Sequence, residues 1–91
     1  MLAPMFEWDE AKRLATLQKH GIDLRRATRV FRGPHVVLEA RSDAEPREIA
    51  VGYLDGIPIA VVFTRRGDKV RIVTARRARR NERERYQAVY S

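Results

Sequence analysis

Ninety-one residues, 44% apolar and 34% charged, suit one small domain over residues 1–91 with a thin core. The absence of cysteine excludes disulfides and thiolate metal sites, and no apolar run approaches the length that crosses a membrane. The net charge of +7 is localised: between Arg65 and Arg85, ten Lys/Arg stand against Asp68, Glu82 and Glu84, whereas residues 1–64 hold nine basic and nine acidic side chains. A polyanion is therefore drawn to one region. No basic stretch followed by an apolar one opens the chain, so a cytoplasmic protein without a membrane partner is expected.

Phe6-Glu7-Trp8 alternates as a short edge strand, and Asp9 is placed to cap a helix from Glu10 to His20. In that helix Ala11, Leu14, Ala15 and Leu17 recur at helical spacing and predict the buried face, with Lys12, Arg13, Thr16 and Lys19 turned elsewhere. Gly21 is the expected stop. Asp23 caps a second helix through Leu24, Ala27, Val30 and Phe31, ended by Gly33-Pro34, so that an N-terminal helical hairpin is expected.

Beyond Pro34 the pattern turns to strands. His35 to Glu39, Arg47 to Leu54, Ile57 to Phe63 and Lys69 to Ala75 read as strands, with turns at Asp55-Gly56 and Arg66-Gly67-Asp68. On the last strand, strict alternation sets Val70, Ile72 and Thr74 against Arg71, Val73 and Ala75. A helix over Arg77 to Tyr90 closes the chain, with Asn81 and Glu84 resembling a capping box. The expected class is α+β, with an antiparallel sheet of three to four strands and a C-terminal helix.

The arginine-rich segment suits bidentate phosphate contacts, the bland alternative being a solvated face or a surface for an acidic partner. His20 carries an imidazole, a side chain type suited to proton transfer near neutral pH, yet a His before Gly21 also suits the negative end of a helix. Glu7 and Asp9 flank Trp8 as a weak acid-base or metal pair, better explained by Asp9 as a cap and Trp8 as a packing residue. No phosphate-binding loop, zinc-protease motif or serine triad is present.

Phe6-Glu-Trp-Asp9, Lys12, Lys19-His-Gly21, Ala27, Phe31, Arg47, Gly52, Arg71-Ile-Val-Thr-Ala-Arg76, Glu82 and Tyr86 together form a pattern. It resembles the BrnT toxin family. The resemblance implies a RelE-like ribonuclease fold and the toxin half of a type II toxin-antitoxin pair, which cleaves RNA and arrests translation. It further implies neutralisation by a BrnA-type antitoxin, with promoter DNA bound only through the antitoxin complex. The chain departs from the pattern at Thr16, where members commonly carry Asn, and at Arg79, where Thr or Ser is common. The second departure removes a helix cap and moves the expected helix start toward Asn81.

Under that resemblance the catalytic set is His20 for proton transfer with Arg66, Arg71 and Arg76 on the phosphate, and Lys12, Lys19, Arg65 and Arg77 bind RNA. The reaction needs no metal or cofactor in principle. Arg79 to Arg85 are expected to form a solvated helix face. Two other classes compete: a noncatalytic RNA-binding domain, and a protein-interaction module with a basic face.

Overall fold

Asp55 and Gly56 both adopt positive φ, 52° and 80°, and this tight turn joins the two central strands of the sheet. The computed structural model describes residues 5–40 and 46–90. The leaderless reading of residues 1–4 lies outside them. The described residues form β1 (Met5–Trp8), α1 (Glu10–His20), α2 (Leu24–Ala27), a 3-10 segment (Thr28–Arg32), β2 (His35–Ala40), β3 (Arg47–Leu54), β4 (Ile57–Arg66), β5 (Lys69–Arg77) and α3 (Arg80–Tyr90).

The strands lie in the order β1-β5-β4-β3-β2, antiparallel throughout except that β1 pairs parallel with β5. The sheet thus has five strands, not three or four, because the four-residue β1 joins the edge of the meander. The expected helical hairpin is also corrected. After Asp23, α2 makes a single turn and tightens into the 3-10 segment. Leu24, Ala27 and Val30 still reach the core, so the apolar spacing was met by a different backbone.

Two apolar clusters sandwich the sheet. One face packs Leu24, Ala27 and Val30 over Ala50, Ile59, Val61, Phe63, Val70, Ile72 and Ala75, with Phe6, Trp8 and Phe31 at its margin. The other collects Val51, Ala60 and Ala78 with Val36, Leu38, Ile49 and Tyr86 beneath α3. Gly52 permits the 3-10 segment to close on β3: a Cβ there would stand 3.0 Å from both the Pro34 carbonyl oxygen and a Val30 methyl. Trp8 and Tyr86 are accordingly packing residues.

The first helix is turned against expectation. Asp9 caps it, its carboxylate accepting from the amides of Ala11 and Lys12, and Gly21 ends it at φ 70°. Yet the buried residue of α1 is Thr16, whose hydroxyl lies 3.3 Å from that of Thr74, while Ala11, Leu14, Ala15 and Leu17 are all exposed. Arg13 sets the helix by reaching both Glu10 and Asp23.

Candidate nucleic-acid interface

A β-bulge decides where the arginines of β5 point. Val62 pairs with Thr74 and Phe63 with Ile72, leaving Val73 as the extra residue. Alternation therefore shifts by one after Ile72: Val70, Ile72 and Ala75 share the first core, and Arg71, Thr74 and Arg76, opposite Thr64, Val62 and Ala60, share the α3 face. Unbroken alternation would have sent Arg71 and Arg76 to opposite faces.

On that face a groove of about 890 Å³ opens between the sheet and the start of α3. Leu38, Ile49 and Val62 give it apolar surface, and Arg47, Arg76, Arg79 and Arg85 line it against the two carboxylates of Glu39 and Glu82. Arg79 and Arg85 are exposed, as expected of a solvated helix face, and that face forms one wall of the groove. With Glu82 they follow the i, i+3, i+6 spacing that puts residues on one side of a helix, and that spacing was readable. Arg47 stood in the family pattern without a role. Where β3 meets β4, the Arg47 Nε and the Thr64 hydroxyl are buried with no hydrogen-bond partner among the described residues.

Arg76 is held rather than free. Its Nη1 and Nη2 donate to the two carboxylate oxygens of Glu82, each at 2.8 Å, and Nη1 also reaches the Arg77 carbonyl. Of five N–H donors, two remain for a ligand. These hydrogen bonds hold the Glu82 carboxyl below its ordinary range and raise Arg76. Glu82 also accepts the Arg79 amide at 2.7 Å. It therefore supplies the cap that Arg79 cannot, and α3 begins at Arg80, moved from Arg77 toward Asn81 as expected. Arg71 is looser, 3.6 Å from Glu7 of the adjoining β1, with both side chains about one-third exposed.

The remaining expected site residues disperse. Arg66 is exposed beside the β4–β5 turn, paired across the ladder with Lys69. Arg65 donates to Glu48 at 2.7 Å and lies over the Phe63 ring, and the Glu48 hydrogen bond raises its pKa. It is an ion-paired residue over the first core. His20 stands between two hollows. One, of about 290 Å³, it shares with Lys12, Lys19, Val73 and Thr74; the other, of about 210 Å³, with Arg26, Ile59 and Arg77. Neither is lined by Arg66, Arg71 or Arg76. Thr74 joins the two regions, because it lines the His20 hollow and stands between Arg71 and Arg76 along β5. Glu7 and Asp9 are spent on Arg71 and on the α1 cap, and no cluster of three metal-ligating side chains occurs among the described residues. No helix among them is long and apolar enough to cross a membrane.

The family model described as the ribonuclease toxin BrnT of type II toxin-antitoxin systems matches residues 8–82. Among solved structures, the chain is similar to the Brucella abortus ribonuclease toxin BrnT, with 31% identity over 84% of this chain and 99% of that one, at a TM-score of 0.69. No curated protein matches. With the family model covering most of the chain and the fold shared, this protein belongs to the BrnT family of ribonuclease toxins of type II toxin-antitoxin systems.

Proposed function

We propose that the chain is an endoribonuclease that cuts RNA in the cytoplasm and so arrests translation, and that a BrnA-type antitoxin neutralises it and carries the complex to promoter DNA. The observation that carries this reading is the arginine row on the α3 face, Arg71 and Arg76 on one side of a bulged strand, continuing into a groove with apolar surface. Guanidinium groups beside apolar surface suit a single strand, whose phosphates take the charge and whose bases take the apolar contact.

In the reaction, a ribose 2′-hydroxyl loses its proton and its oxygen attacks phosphorus. The bond to the 5′-oxygen breaks, that oxygen takes up a proton, and the products are a 2′,3′-cyclic phosphate and a 5′-hydroxyl. Arg71, with little competition from Glu7, contacts the non-bridging oxygens as charge builds there. Arg76 adds the two N–H groups that Glu82 and the Arg77 carbonyl leave, and Arg66 adds charge at the turn. His20 moves a proton across the hollow that it shares with Thr74, while Lys12, Lys19 and Arg77 hold flanking phosphates. No step of this scheme is routed through a metal.

Incubating the purified chain with single-stranded RNA and EDTA tests the proposal. Cleavage with cyclic-phosphate ends, reduced by His20→Ala and by Arg71→Ala in folded protein, is expected. Salt-sensitive retention without cleavage identifies a noncatalytic RNA-binding domain, and neither result identifies an interaction module. Cleavage undiminished in His20→Ala removes the proton-transfer role.

A further inference from the structure

The three tyrosines of the chain form one cluster between β3 and the second half of α3, and no step of the cleavage scheme uses them. Tyr86 packs into the second core, and its ring centroid lies 5.3 Å from that of Tyr53 and 4.9 Å from that of Tyr90. These two neighbours are 44% and 46% exposed. The Tyr90 hydroxyl donates to the His35 carbonyl at 3.1 Å, so its ring is held although nearly half of the residue is open. Rings fixed at a surface are ordered for stacking before a ligand arrives. Cations stand beside them. At 3.6 residues per turn, Arg79, Arg83, Tyr86 and Tyr90 fall within an arc of about 60° on α3, each arginine in line with a tyrosine two turns, or about 10 Å, further on. Arg83 is also tied toward Tyr53: its Nη1 donates to the Ala78 carbonyl, the Ala78 amide donates to the Pro58 carbonyl, and Pro58 is the cross-strand partner of Tyr53. Arg79 and Arg83 are exposed and make no ion pair among the described residues, while Glu82 and Glu84, the acidic residues of α3, are taken by Arg76 and Arg80.

We propose that Tyr53 and Tyr90 form a stacking platform for bases of single-stranded RNA beyond the cleavage groove, with Arg79 and Arg83 on the phosphates. Every base has a π face and every nucleotide a phosphate, so rings interleaved with guanidinium groups suit a strand of any sequence. An aliphatic protein surface matches the rings but leaves both arginines without counter-charge, and a second copy of this +7 chain brings more positive charge. Arg79 belongs to both regions, because it also lines the groove. This rests on the toxin reading above and deepens it: the substrate is a strand that runs past Arg76 and along α3, and an RNA long enough to reach the tyrosines is held tighter than one that only fills the groove.

The test uses the full chain and a single-stranded 2′-O-methyl oligoribonucleotide carrying 2-aminopurine, whose capped 2′-oxygens cannot attack phosphorus. The parent should bind it and quench the 2-aminopurine by stacking. Tyr53→Ala/Tyr90→Ala is expected to weaken binding about tenfold or more and to remove most of the quenching, whereas Tyr53→Phe/Tyr90→Phe keeps the rings and should stay within about threefold of the parent. Arg83→Gln should flatten the slope of log affinity against log salt by about 0.7, the share of one phosphate contact on a single strand. Tyr53→Leu/Tyr90→Leu repeats the test, with the same loss expected, if the alanine variant misfolds. Affinity unchanged in a folded alanine or leucine variant overturns the proposal, as does an equal loss in the phenylalanine variant or failure of the parent to bind. Loss of antitoxin binding in the alanine variant, with oligonucleotide affinity intact, also overturns it and marks a protein interface instead. A parent that binds through these rings but leaves unmodified RNA uncut overturns the cleavage reading and leaves the platform standing.

Discussion

Arg76 and Glu82 form a two-pronged ion pair that ties the end of β5 to the first turn of α3, with their side chains only 18% and 5% exposed. The same carboxylate caps the helix through the Arg79 amide, so one side chain sets the geometry of the groove mouth.

Removing it leaves a partly buried guanidinium without its partner. Glu82→Ala should cost about 3 kcal/mol, the low end for breaking a buried pair, read from urea unfolding at neutral pH. The pair also gives a pH dependence. Because Arg76 lowers the folded-state pKa of Glu82 below its unfolded value, the stabilisation is complete above the ordinary carboxylate range and is lost as pH falls through the folded value. The urea midpoint of the parent should fall more steeply on acidification than that of Glu82→Ala. Parallel curves would contradict this.

Arg71 presents the opposite case. Its 3.6 Å approach to Glu7 is partly solvated and contributes little to stability. Arg71→Ala should keep the unfolding free energy within about 0.5 kcal/mol of the parent while lowering RNA cleavage by about 10²- to 10³-fold, as for loss of one transition-state donor. Single-turnover rates beside urea titrations separate the two effects.

Gly52 tests the packing of the 3-10 segment. A methyl group there must displace either the Pro34 carbonyl or Val30, both 3.0 Å from its position. Gly52→Ala should destabilise by about 1–3 kcal/mol, as overpacking does, measured by thermal or urea unfolding.

Asp9 tests the start of α1. Its carboxylate holds the amides of Ala11 and Lys12 at 2.8 and 3.2 Å. Asp9→Ala should cost about 1 kcal/mol, and Asp9→Asn or Asp9→Ser should recover most of it, since either side chain keeps an acceptor at the cap.

Local signals were legible because they act within a few residues. The Asp9 cap, the Gly21 stop, the Asp55-Gly56 turn, the span of α1 and the localised charge all follow from the sequence alone, as does the family pattern from Phe6 to Tyr86. Contacts distant in sequence were not legible. The bulge at Val73, which brings Arg71 and Arg76 to one face, depends on how β5 registers against β4. The use of Arg76 by Glu82 depends on where α3 lands, and the outward turn of α1 depends on Arg13 reaching Asp23 and on Thr16 meeting Thr74. Periodicity determined which residues share a side of a helix or strand. Only tertiary packing decided which side faces the core, because that choice is made by partners far along the chain.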